Sequence, residues 1–263
     1  MMRAPTAAAA FLMLTLAGGL VGEARAADQQ YLVSGRDSFS IGAGDIKSEV
    51  EYRGTQVLTI TRRGGAMRYT AKVEYLRSDQ GATTDATADY VSDLMPSGEQ
   101  FASADHDPDY LTVLNQPFSA QLDATTLADL RSMRSAVPFD FPSPFTSSTL
   151  HGRLERIGNG LIGPHRALGV RFEAGGAMHG ALPDRAGLTL DGSIVMRGTA
   201  YYDLESALLL SLDATVTISG TVSNRSGNDP VTIVYRRTIR ANEPLHGNTA
   251  QSLRPPEVTR SPR

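Results

Sequence analysis

Asp105-His106-Asp107-Pro108-Asp109 sets three carboxylates at alternate positions, the spacing with which some calcium loops begin. The rest of an EF-hand is missing. Tyr110 stands where the loop needs glycine, and Gln116 where it needs a bidentate glutamate. Asp and Pro also favour plain turns, so Asp105, Asp107 and Asp109 are a weak ion-site candidate and no metal is assigned. The histidines, His106, His151, His165, His179 and His246, are scattered, and none lies four residues from another as a helical metal pair would. Glu173, Asp191, Asp203 and Asp213 are expected on polar strand faces, where two carboxylates could exchange protons, but no spacing singles out a pair. No G-x-S-x-G elbow, H-E-x-x-H pair or phosphate loop occurs. The expectation is a protein that is not an enzyme and needs no cofactor.

A second constellation is apolar. Leu127, Leu130, Met133 and Val137 form a helical stripe, predicting a short amphipathic helix over 124–137. Thr126 with Asp129 resembles a capping box, Asp123 is an alternative cap, and Pro138 ends the helix. Phe139, Phe141 and Phe145 follow among Pro138, Pro142 and Pro144. Two readings of this predicted loop, 138–145, are open. The favoured one is a rigid plug, since apolar residues beside a docked helix are usually core. The other makes Leu127, Leu130, Phe139, Phe141 and Phe145 the lining of an apolar ligand site.

The elements that must position these groups are strands. Met67 to Tyr75 alternates apolar and polar residues without a fault, as a half-buried strand does. Gln56 to Arg62 precedes it across a hairpin turn at Arg63-Gly64-Gly65, with Ile46 to Tyr52 before that. Thr84 to Val91, Tyr110 to Leu114 and Phe118 to Leu122 are shorter candidates. Leu150 to Ile157 and Arg166 to Ala174 are read as strands split by a turn at Gly158-Asn159-Gly160. Two long strands follow, Leu188 to Tyr202 and Leu208 to Val222, each with its apolar set on even numbers. Val231 to Arg240 is the last, apolar on odd numbers.

Because both long strands are oily on even positions, an antiparallel register must keep even opposite even. A three-residue loop, Leu204-Glu205-Ser206, would put Gly198 opposite Leu212, Met196 opposite Ala214, Gly192 opposite Ile218 and Leu190 opposite Gly220. Arg197 would then face Asp213, and Thr199 would face Ser211. Bends or bulges are expected at Gly192, Gly198 and Gly220. The predicted fold is mainly β: one large, curved antiparallel sheet, a half-barrel or open barrel, packed on one short helix.

Residues 1–26 read as a secretory signal peptide: Arg3, an apolar stretch from Ala7 to Leu20, then the small-x-small site Ala24-Arg25-Ala26. Cleavage near Ala26 implies an exported protein, periplasmic or extracellular, with no transmembrane helix. The 263 residues contain no cysteine, so an exported form has no disulfide to lean on. A net charge of -3 argues against a nucleic-acid partner. Residues 28–241 are expected to form one β-rich domain, and 242–263, with Pro244, Pro255, Pro256 and Pro262, a disordered tail.

Half-barrels wrapped round a helix are similar in architecture to periplasmic lipoprotein and lipid carriers, a likeness with no motif behind it. The first functional expectation is therefore a binding or carrier module of the cell envelope for an apolar small molecule or lipid. The alternative is a non-catalytic interaction or assembly protein using an exposed strand edge or its polar face on an envelope protein. An outer-membrane β-barrel ranks below both: tryptophan and aromatic girdles are absent, and the amphipathic helix does not suit it.

Overall fold

The computed structural model describes residues 27–42, 46–63, 66–94, 100–103, 122, 124–132, 136–142, 149–181, 187–224 and 227–242. The candidate strand at 110–114, all but Leu122 of the one at 118–122, the leader at 1–26 and all but Asn242 of the expected tail at 242–263 lie outside them. Asn242 itself is tied to β1, its N–H bonding the Gln30 carbonyl at 2.8 Å.

Period-two alternation runs through almost every described segment, and the result is a single antiparallel sheet. Its strands are β1 (Ala27–Ile41), β2 (Ile46–Arg63), β3 (Ala66–Asp79), β4 (Ala82–Leu94), β5 (Gln100–Ser103), β6 (Val137–Pro142), β7 (Thr149–Ile162), β8 (His165–Ala181), β9 (Thr189–Asp203), β10 (Leu209–Asn224) and β11 (Gly227–Ala241). One helix, α1 (Ala124–Ser132), joins the two halves of the chain. The order β5-β4-β3-β2-β1-β11-β10-β9-β8-β7-β6 is a pair of meanders. Each runs outward through consecutive neighbours, and they meet where the first strand pairs with the last. The sheet is not closed; β5 and β6 are its edges.

Even positions of β9 and β10 face inward as the alternation requires: Ile194, Leu210 and Val216 are all buried. Ile194 and Val216 belong to one core cluster that takes residues from β1 to β4 and from β7 to β11. Sheet curvature brings these arms together. Tyr69 on β3 and Tyr202 on β9 both act electrostatically on the Tyr31 hydroxyl. Tyr202 stands three strand spacings from Tyr31 in the ladder, about 14 Å if flat, so the sheet must curl. Burial pushes the Tyr31 and Tyr202 hydroxyls far above the ordinary tyrosine range. Tyr31 therefore stays a donor, and its Oη–H bonds the Leu209 carbonyl at 2.9 Å.

Several local expectations need correction. The β9–β10 register is displaced by two residues: Gly198 faces Ala214, Met196 faces Val216, Arg197 faces Thr215, Thr199 faces Asp213, and Gly192 faces Gly220. The turn supplies one residue of the shift. The Asp203 N–H bonds the Leu208 carbonyl at 2.8 Å, so Ala207 joins the loop, at a left-handed φ of 59°. A register irregularity between Leu209 and Ser211 supplies the other. Parity survives because the two steps add to an even number. Register shifts fall there and between Arg156 and Gly158, and none falls at Gly192, Gly198 or Gly220. Those glycines serve close approach instead. A Cβ on Gly192 would lie 2.3 Å from the Ser219 carbonyl oxygen, and one on Gly220 2.3 Å from that of Asp191.

Gly158-Asn159-Gly160 is not a turn either. It continues β7, and the chain reverses at Gly163-Pro164, where Ile162 faces His165. The described helix runs to Ser132, the predicted last helical residue, Val137, is already strand, and Thr126 sits inside the first turn. Val137 to Pro142, expected as helix end and loop, is the edge strand β6, paired to β7 with Val137 opposite Leu154. Val137, Phe139 and Phe141 alternate with Pro138 and Asp140, and an edge tolerates proline because one side of the strand has no ladder to supply. Finally, β1 is a full strand that the expectations omitted. Its core-side residues include Tyr31 and Val33, but also Asp37.

Candidate functional site

Three of the five apolar candidates can be placed, and all three lie in or against the core. Leu127 and Leu130 are buried in the core cluster, and Phe139 packs against it from β6. The Phe141 side chain, and Phe145, lie outside the described residues, as do Asp105, Asp107 and Asp109. Among the described residues no group of three or more His, Asp or Glu could hold a metal, and no helix is long and apolar enough to cross a membrane. Gly158, Gly160 and Gly163 stand at the G-x-G-x-x-G spacing of dinucleotide sites, but here they shape a hairpin. No helix follows them to receive a pyrophosphate.

The three described histidines pair singly with aspartates: His151 Nδ1 with Asp140 at 2.9 Å, His179 Nδ1 with Asp191 at 2.9 Å, and His165 Nδ1 with Asp203 at 3.1 Å. Only the third pair is sheltered. Asp203 is buried, against the expectation of a polar-face carboxylate, because it organises the β9–β10 turn. Its Oδ1 accepts from the Glu205 N–H at 2.9 Å, the Ser206 N–H at 2.7 Å and the Ser206 hydroxyl at 2.9 Å. Burial pushes the carboxyl up, but the hydrogen bonds from Ser206, Glu205 and His165 outweigh it and hold Asp203 below its ordinary value. The unfolded value is near 4. A lowered folded value gives stability that is fully present above pH 4 and is lost as pH falls through the folded value. Asp203→Asn should cost about 2 kcal/mol at pH 7. In urea melts across pH, that difference should shrink as pH drops below 4. A constant difference down to pH 2 would contradict the charge-based account.

Two charges lie within the dry side of the sheet. Arg237 on β11 and Asp37 on β1 are each 2% exposed. The guanidinium forks onto the carboxylate through Nη1 to Oδ1 and Nη2 to Oδ2, the latter at 3.2 Å. The guanidinium carbon also sits 5.5 Å from the ring centres of Tyr52 and Tyr235. This pair is structural chemistry, closed to solvent. Its sequence signal was a lone arginine on the odd, apolar face of β11.

The open chemistry is on the other face. Arg171 and Glu173 (β8), Arg197 and Thr199 (β9), Asp213 and Thr215 (β10), and Arg236 and Thr238 (β11) line a groove of about 600 Å³. A second recess of about 210 Å³ shares Arg236 and Thr238 and adds Ser34, Arg36, Glu51 and Arg53 from β1 and β2. The ladder sets these residues in cross-strand rows. One row reads Glu173, Arg197, Thr215, Arg236, Arg36 and Glu51.

Most of the charges are neutralised. Arg171 meets Glu155 at 3.4 Å, Glu173 meets Arg153 at 3.6 Å, and Asp213 meets Arg240 at 2.7 Å. The Asp213 partner corrects the expected Arg197–Asp213 pair. Arg36 is held between Glu49, at 3.1 Å, and Glu51. The side chains of Arg197 and Arg236 line the groove with no hydrogen bond or ion pair among the described residues.

Comparison with protein-family models and with curated protein sequences finds no match to this chain.

Proposed function

We propose that the protein is a non-catalytic binding module of the cell envelope that recognises its partner through the polar face of the sheet. The observation that carries this reading is the state of the opposite face. Tyr31, Leu58, Val73, Leu168, Leu190, Ile194, Met196, Leu209, Leu212 and Ile239 are fully buried in one shared cluster. That face acts as a core, and the grooves lined by described residues open on the polar side. The 600 Å³ groove has a ligand-sized volume, but most of its lining residues carry charges or hydroxyls, with only Phe172, Gly198 and Ala214 apolar, unlike the apolar walls a lipid chain needs.

Support for export comes from the leader-like residues 1–26. The non-catalytic reading is supported by the one sheltered pair: the Ser206 hydroxyl bonds Asp203 rather than the His165 imidazole, so no base is set to activate it.

Native mass spectrometry of the protein recovered from the periplasm, or from the medium, tests the reading. The expected species starts at Ala27 and carries no apolar ligand. A stoichiometric co-purifying lipid would overturn it in favour of a carrier with the apolar face as its site.

A further inference from the structure

The geometry points to Arg197 and Arg236 as the two arms of a site for a phosphate group on the polar face, with Thr215 between them. This rests on the reading of that face as the recognition surface. Thr215 is the direct ladder partner of both arginines, so their Cα atoms stand two strand spacings apart, about 10 Å. Two side chains of arginine length can close on one group across that span.

Three observations converge. Every other charged side chain lining the groove makes an ion pair, and these two make none among the described residues; Glu173, which faces Arg197 across the ladder, turns to Arg153 instead. Arg236 also lies directly opposite Arg36, an arrangement that is destabilising in a sheet. Glu49 and Glu51 satisfy Arg36, so the uncompensated charge is left on Arg236. The third is space: the groove in front of the pair and the adjoining recess can take a ligand larger than a bare ion.

Phosphate fits better than carboxylate. Two guanidinium forks and a hydroxyl offer more donors than two carboxylate oxygens can use, whereas a phosphate monoester presents three terminal oxygens and close to two charges. The flanking threonines and ion pairs suit a hydrophilic remainder such as a sugar or glycerol, and no acyl chain.

Thermal melts of the mature protein at fixed ionic strength test this. The probes are inorganic phosphate, glycerol 3-phosphate, and vesicles of phosphatidylglycerol against phosphatidylcholine, with chloride as the matched control. The expected result is a saturable rise in melting temperature, or vesicle binding, with phosphate-bearing probes. Arg197→Gln or Arg236→Gln should weaken it by about tenfold or more, and Arg166→Gln, an exposed arginine elsewhere, should leave it unchanged. Arg236→Gln should also raise the ligand-free melting temperature, because it removes the clash with Arg36. A response to soluble phosphates places the ligand in solution, and a response to phosphatidylglycerol vesicles alone places it in a headgroup. Both support the site if the arginine variants abolish them.

No response to any phosphate probe would overturn the phosphate site. So would a response that both arginine variants retain. Neither outcome bears on whether the apolar face is filled, which the ligand-free mass reports separately.

Discussion

Asp37→Asn should lower the stability of the protein by about 3–5 kcal/mol. The substitution keeps size and shape but removes the charge that the Arg237 guanidinium faces. Arg237 is 2% exposed, so water does not reach it to compensate. The flanking Tyr52 and Tyr235 rings, each 5.5 Å away, offer quadrupoles in place of a counter-charge. A loss of this size is a large share of the 5–15 kcal/mol that holds a typical domain together, and should drop the melting temperature by roughly 10 °C. The companion variant gives the argument its force. Asp37→Leu with Arg237→Met removes both charges and both desolvation costs, and should recover most of the lost stability. Urea midpoints of the three proteins decide the matter. If Asp37→Asn melts within about 1 kcal/mol of the parent, the pair is hydrated and the dry face is not as sealed as described.

Gly198→Ala should cost about 3 kcal/mol, at the upper end for added core volume. A Cβ at this position would sit 2.0 Å from the Asp213 carbonyl oxygen and 2.5 Å from Phe172 Cζ. The phenyl ring could swing away, but the carbonyl oxygen is part of the β10 backbone. Relief therefore requires β9 and β10 to part, with loss of ladder hydrogen bonds on both sides. Gly160→Ala is the control, because a Cβ there meets nothing within 4 Å. It should change stability by less than about 0.5 kcal/mol. Denaturant unfolding of the two variants measures the difference, and equal stabilities would show that the close approach at Gly198 relaxes without cost.

The oily parity of β9 and β10 could be read from residue types, because a half-buried sheet sorts its side chains by odd and even. Register could not. It depends on a turn in which a single carboxylate, Asp203, gathers the N–H groups of Glu205 and Ser206, and on an irregularity one residue into β10. Neither leaves a periodic trace. That two-residue slip also hid the candidate site. With Arg197 assigned to Asp213 it looked neutralised, whereas in the observed structure Asp213 pairs with Arg240 and Arg197 has no ion pair among the described residues. β1 escaped notice because Asp37 interrupts its inward side and Leu32, half exposed, sits outward. A charge at an inward position is legible only when its partner, here Arg237 two hundred residues on, is known to lie next to it. The Phe/Pro stretch misled in the opposite way. Prolines suggested a loop, but an edge strand accommodates them.

The central seam has a consequence for how the molecule is made. β1 is the first described strand to leave the ribosome, and its partner β11 is the last. Until translation is nearly finished, one flank of β1 has no neighbour, although the other can already zip onto β2. The two halves can therefore mature as separate fans that join at their oldest and newest strands. Such a long-range closure is slow, because so much chain must be ordered before it is rewarded. The nascent molecule thus carries an open, adhesive border through most of its synthesis.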